Sequence, residues 1–241
     1  MGASEESIRE SVRERYAKAA TMGTFRGPDC CGPEYSAAEL VRIPVESVLG
    51  LGSGNPVRHA DLREGEVAVD LGSGAGVDVF IAADRVGPSG RVFGIDMTSE
   101  MLERARALAA REGIANAEFL EAFIEKLPFP DRFADIVLSN CVINLSTDKA
   151  AVFHEAFRVL KPGGRLVVSD VVQERPLGVI EDDCGCVATA MVRGEYLDTI
   201  VAAGFRSIEV LEDRPWRAGS HGIDASAITL RAIKPIEEVK A

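Results

Sequence analysis

The chain contains no run of about 18 apolar residues, so the sequence offers no membrane-spanning helix. Its opening stretch, MGASEESIRE, lacks a basic region and an apolar region, so no signal peptide is expected. The Met-Gly-Ala-Ser start resembles a myristoylation signal, but Glu6 stands where serine or threonine is required. Basic residues are in the minority: 27 Lys and Arg against 38 Asp and Glu give a net charge of −11. A chain so charged repels phosphate backbones, which argues against nucleic acid as a partner. There are no internal repeats and no low-complexity runs. Cysteines number five, an odd count that speaks against a disulfide scaffold in a chain of this size. Together these absences point to a cytosolic protein.

What is present is enough to build a full core: 241 residues, 46% of them apolar. The length fits one large domain, or one domain with extensions. Residues 4–20 read as a charged amphipathic helix. A loop rich in Gly and Pro follows over 21–35 and carries Cys30 and Cys31. A short helix is expected over 36–49, then a second Gly-rich turn, GLGSGNP, over 50–56. From Glu66 strands and helices alternate. Strands are expected at 66–71, 91–96, 117–122, 134–140, 165–172, 207–213 and 226–233. Helices are expected at 77–86, from Thr98 or Ser99 onward, at 148–160 and at 195–205. Lys161-Pro162-Gly163-Gly164 reads as a stop and turn after the third of these helices. Strands spaced by helices indicate βαβ units, hence an α/β fold with a largely parallel, seven-stranded Rossmann-like sheet. The expected division is an N-terminal helix and cysteine loop over 1–60, a core over 61–175, and a C-terminal segment with the last strands over 176–241.

The densest signal lies where the first strand meets the first core helix, in Val69-Asp70-Leu71-Gly72-Ser73-Gly74-Ala75-Gly76. Glycines there let the backbone turn sharply and approach a ligand, and a helix N-terminus attracts anionic groups. The spacing is GxGxG, not GxGxxG, and an acid, Asp70, stands two residues before its first glycine. Asp96 ends the second strand, 20 residues after Gly76. A carboxylate there can accept hydrogen bonds from ribose hydroxyls and would repel a 2′-phosphate.

DLGSGAG, then GIDMT (94–98), LPFPDRFADIVLSN (127–140) and VLKPGGRLVVSD (159–170) resemble the class I S-adenosylmethionine (SAM)-dependent methyltransferases over residues 60–175. That resemblance implies SAM as cofactor. It puts Asp70, Gly72, Ser73, Gly74 and Gly76 near the methionine end, Asp96 on the ribose, and Met97 against adenine. Phe123 and Ile124 pack near adenine, and Asn140 lies beside the methyl-transfer locus.

The cysteines fall in three places. Cys141 follows Asn140 at the C-terminal end of the fourth strand, the edge where open α/β sheets bind ligands. Cys30-Cys31 sits in a loop with little around it to form a core. Cys184-Gly-Cys186 follows an acidic turn, Glu181-Asp182-Asp183. Each could equally be a small buried hydrophobe. Structural zinc would want four tetrahedral ligands, usually from CxxC pairs, a spacing absent here. Taken together, the Cys-Cys loop, GLGSGNP, SNCVINLS (139–146) and CVATAM (186–191) resemble the arsenite methyltransferases over residues 14–200. This resemblance implies that Cys141, Cys186 and either Cys30 or Cys31 hold As(III), leaves Cys184 without a role, and puts Tyr16 near the cofactor. Ser53 stands where that family often has a further cysteine.

As(III) is soft and prefers thiolate sulfur. Held by three thiolates it keeps a lone pair on its open face, the nucleophile for a methyl group. No proton has to be removed, so no general base is called for. The three histidines, His59, His154 and His221, lie outside all the motifs. The expected enzyme is therefore a monomeric SAM-dependent arsenite methyltransferase serving arsenic detoxification. Its substrate is As(III), taken as a thiol conjugate, and it depends on a thiol reductant such as glutathione or thioredoxin. A SAM-dependent C- or O-methyltransferase of a quinone- or sterol-like metabolite is the competing reading, since the same core serves both.

Overall fold

The computed structural model describes residues 5–23, 35–176, 187–216 and 224–236. Among these, β1 (Val67–Leu71), β2 (Arg91–Asp96), β3 (Ala117–Glu121), β4 (Ala134–Asn140), β5 (Leu160–Gln173), β6 (Arg206–Pro215) and β7 (Ala225–Ile233) form one seven-stranded sheet. Its order is β3-β2-β1-β4-β5-β7-β6. The first five strands pair in parallel; β7 runs antiparallel to both β5 and β6. The helices are α1 (Glu5–Met22), α2 (Ala37–Leu40), α3 (Val77–Val86), α4 (Ser99–Glu112), α5 (Lys149–Val159) and α6 (Arg193–Ala202). Among the described residues no helix is long and apolar enough to cross a membrane.

Apart from Asp70 near its carboxyl end, β1 is apolar on both faces because both faces are covered. Val69 and Leu71 point into a core with Ile143, Phe153 and Tyr196. Ala68 points the opposite way, into a second core with Val79, Phe80 and Ile136. The chain leaves β1 toward β2 on one side and later returns to place β4 on the other. This reversal of strand order opens a crevice at the carboxyl ends of β1 and β4. Gly72 and Cys141, the residues that follow these strands, therefore flank it.

Two expectations change. The helix expected over 36–49 is only Ala37–Leu40 plus a single turn at Val45–Ser47. Pro44 lacks an N–H and disfavours helical geometry at Ile43, while a Ser36–Glu39 capping box starts the short helix. The stop expected at Lys161–Gly164 lies inside β5, which begins at Leu160. The register slips there: Ala134 faces Leu160 and Ile136 faces Arg165. Gly163 N donates to Lys234 O and Lys234 N to Gly164 O, both at 2.9 Å. Lys161 Nζ also reaches both Asp135 carboxylate oxygens, at 2.7 and 2.8 Å. The extra residues are thus absorbed as a bulge paired on both sides.

Candidate active site

The crevice widens into a pocket bounded by the ends of β1, β2 and β4, the 47–52 segment and one face of α1. Tyr16 faces it from α1. Asp70, Gly72, Ser73 and Gly74 line it from the first strand and turn, and Asp96 and Met97 from the second strand. Phe123, Ile124, Asn140 and Cys141 complete the lining. Gly76 lies just behind, starting α3 at a φ of +92°.

Gly72 carries the turn. Its φ is +65°, and a Cβ built there would lie 2.4 Å from Val142 Cγ2, so only glycine fits. Gly74 N donates to Asp96 Oδ2 at 2.9 Å, and Thr98 N donates to Asp96 Oδ1 at 2.8 Å. These bonds hold the Asp96 carboxylate still and oppose the rise in its pKa caused by burial.

Asp70 is buried, and no hydrogen bond to its carboxylate is found among the described residues. Burial, then the nearby Asp78 and Asp96 carboxylates, push its pKa well above the usual carboxylate range. Ser73 Oγ is also buried without a partner. Three crowded acids and an orphaned hydroxyl are costly unless a ligand pairs them. A cationic ligand with polar groups relieves both, and SAM, with its sulfonium and ammonium charges, is of that kind.

Asp78 and Tyr35 did not stand out in the sequence. Asp78 lies in the first turn of α3; Tyr35 Oη donates to its Oδ1 at 2.9 Å and Asn140 Nδ2 to its Oδ2 at 3.0 Å. Burial still pushes the Asp78 pKa up to about 6, against the pull of these two bonds. The available signal was a lone acid one residue after the helix begins, in an otherwise apolar run. Tyr35 had none beyond being an aromatic at the end of a Gly/Pro loop.

Asn140 is a junction. Besides Asp78, its Nδ2 donates to Gly54 O at 3.0 Å, and its Oδ1 accepts from Ser53 N at 2.9 Å. The GLGSGNP turn is therefore fastened to the end of β4. Gly52 has a φ of +115°, and a Cβ there would sit 2.9 Å from Asn140 Nδ2. The glycine lets the turn come that close.

Cys141 is 5% exposed and has a φ of +61°, a left-handed conformation uncommon for a side-chain-bearing residue and frequent at functional sites. Its N–H donates to Ser169 O at 2.8 Å. Behind it lies a buried polar cluster. Asn144 Nδ2 donates to Asp170 Oδ1 at 2.7 Å, and Tyr196 Oη to Asp170 Oδ2 at 3.2 Å. Burial pushes the Asp170 pKa up to about 7 despite these bonds.

Cys30, Cys31, Cys184 and Cys186 lie outside the described residues, as does His221. His59 pairs with Glu212 at 2.7 Å and His154 is exposed; neither lines the cavity. Among the described residues no group of His, Cys, Asp and Glu is arranged to hold a metal ion.

A methyltransferase domain model matches residues 62–230. An arsenite methyltransferase of Halobacterium salinarum is 40% identical over 237 residues, covering 85% of this chain and 59% of its own length. An arsenite methyltransferase of Aquipseudomonas alcaligenes is 40% identical over 226 residues, covering 86% of this chain and 65% of its own length. The chain thus spans under two thirds of each of these relatives. The crystal structure of an arsenic(III) S-adenosylmethionine methyltransferase from Chlamydomonas reinhardtii superposes with a TM-score of 0.73 at 32% identity, covering 85% of this chain and 74% of that one.

Proposed function

Because the chain belongs to the class I SAM-dependent methyltransferases, and among them to the arsenite methyltransferases, we propose that it methylates thiolate-bound As(III) and so serves arsenic detoxification. One observation carries the reading: Cys141, in a left-handed turn, borders the same cavity as Asp70 and Asp96.

When bound, SAM supplies a methyl group on a positively charged sulfur, which an electron pair on the acceptor displaces. The chain's residues bind and align. Asp70 faces the cationic methionine end, Ser73 offers its unpaired hydroxyl, and Gly72 keeps the turn close. Asp96, held by Gly74 N and Thr98 N, accepts the ribose hydroxyls. Met97, Phe123 and Ile124 wall the adenine. Asn140 and Asp78 fix the turn over the reacting end.

Cys141, Cys186 and one of Cys30 and Cys31 hold As(III) as thiolates, with the arsenic lone pair toward the methyl group. Binding drives loss of the thiol protons. The protein's task is then to hold nucleophile and methyl carbon at near-attack distance, ~3–3.5 Å. Two flanking residues support delivery of the other cysteines. Tyr35 lines the cavity four residues after Cys31, at most about 14 Å of extended chain. Val187, next to Cys186, is buried, and its carbonyl accepts from Gln173 Nε2 at 3.0 Å at the end of β5. The same reading makes the protein a cytosolic monomer whose cysteines are kept as thiols by a reductant such as glutathione or thioredoxin.

The test is incubation with SAM, arsenite and a thiol reductant, followed by arsenic speciation. Mono- or dimethylated arsenic is expected. If none forms, and arsenite leaves SAM binding unchanged, the reading is wrong.

A further inference from the structure

α1 presents Arg9, Val12 and Tyr16, at i, i+3 and i+7, to the cavity. Toward its C-terminal end the helix is anchored. Ala19 and Ala20 are buried against Leu49, Ala75 and Met101, and Arg104 Nη1 donates to Ala20 O at 3.1 Å. Toward the N-terminal end Arg9 reaches off the helix. Its Nη2 lies 3.6 Å from Glu125 Oε1 and donates to Thr147 Oγ1 at 3.3 Å. Its guanidinium carbon stands 5.2 Å from the centre of the Phe123 ring. Its Nε is buried and has no partner.

These contacts join parts that the sequence keeps far apart. Phe123 belongs to the wall assigned above to adenine. Glu125 in turn accepts from Ser146 Oγ at 2.6 Å, and Ser146 closes the SNCVINLS loop that begins beside Cys141. An unpaired N–H buried at a cavity wall is costly without an acceptor. The adenosyl part of SAM carries several acceptors, in its ring nitrogens and ribose oxygens.

We infer that Arg9 is a further cofactor-binding and positioning residue: it latches α1 over the bound cofactor through Glu125, Thr147 and Phe123, and its Nε donates to the adenosyl group. This rests on the SAM reading above. The latch also ties closure over the cofactor to the loop that bears Cys141. Lysine cannot replace arginine here, because a single ammonium cannot present Nε and Nη2 at once.

The test is the dissociation rate of S-adenosylhomocysteine from the full chain, measured by stopped flow and free of any methyl transfer. An ion pair and a cation–π contact of ordinary strength together correspond to about a tenfold change. Arg9→Ala is expected to release S-adenosylhomocysteine about tenfold faster, with a melting temperature within a few degrees of wild type. Arg9→Lys is expected to fall between the two, and Glu125→Gln to show a smaller rise. Unchanged release from Arg9→Ala, with or without a lower melting temperature, marks a merely structural ion pair and overturns the inference while the SAM reading stands. Failure of the wild-type chain to bind S-adenosylhomocysteine at all overturns both.

Discussion

Asn140 Nδ2 lies 3.0 Å from Asp78 Oδ2, and the two side chains join the end of β4 to the first turn of α3 beneath the glycine turn. An amide is required at this position because Asn140 donates to Asp78 and Gly54 while accepting from Ser53. Asn140→Asp would set a carboxylate against the Asp78 carboxylate and leave the Gly54 carbonyl without its donor. The expected loss is roughly 2–4 kcal/mol of stability at pH 8, together with at least a tenfold weaker affinity for S-adenosylhomocysteine. Thermal melting and calorimetric titration check both. The melting defect should shrink toward pH 5 as the crowded acids protonate.

Asp170 predicts a separate pH dependence. Its pKa in the folded chain is about 7, raised by burial above the ordinary value of 3.8. The folded state therefore holds this proton more tightly than the unfolded chain. The cost of an ionised Asp170 is absent below about pH 4, grows as pH rises, and is complete above about pH 7. Asp170→Asn keeps an acceptor for Asn144 and an amide facing Tyr196. It should stabilise the protein at pH 8 by roughly 2–4 kcal/mol relative to wild type. Urea unfolding at a series of pH values should show the two proteins converging at low pH.

Gly72→Ala meets two obstacles, a φ of +65° and Val142 Cγ2 at 2.4 Å. The residue must either push Val142 aside, next to Cys141, or open the turn. Affinity for S-adenosylhomocysteine is expected to fall by more than a hundredfold, about 3 kcal/mol, in line with the cost of overpacking. Gly113→Ala is the control: Gly113 also has a positive φ, 68°, but a Cβ there meets nothing within 4 Å, so it should leave that affinity unchanged.

Cys141→Ser exchanges a soft ligand for a hard one at nearly constant size. Methylation of arsenite should disappear, while affinity for S-adenosylhomocysteine stays within about threefold of wild type. The same pattern is expected of Cys186→Ser. Loss of cofactor affinity in either variant would assign that cysteine to the packing of the fold.

Much of the fold was legible because neighbouring residues specify it. β2, α3 and β4 run over 91–96, 77–86 and 134–140, as their apolar runs indicate. Of the two elements that departed, the 36–49 helix is cut short locally, before Pro44, whereas β5 begins early through a distant partner, Lys234, which pairs with the glycines at 163 and 164. The candidate site divides along the same line. The glycine turn, Asp70 and Asp96 announce themselves by spacing. Asp78 gains its meaning only from Asn140 and Tyr35, 62 and 43 positions away, and Arg9 from Thr147, 138 away. No local pattern marks a residue whose partner lies on another side of a cavity.

Delivery of a methyl group from this cavity to arsenic is open to direct experiment. It is tested most directly by offering the purified chain SAM labelled in its methyl group, with arsenite and a demethylated quinone present together and a thiol reductant supplied. The label is expected in methylated arsenic, and Cys141→Ser is expected to abolish it. Label in the quinone alone, indifferent to Cys141→Ser, would contradict it.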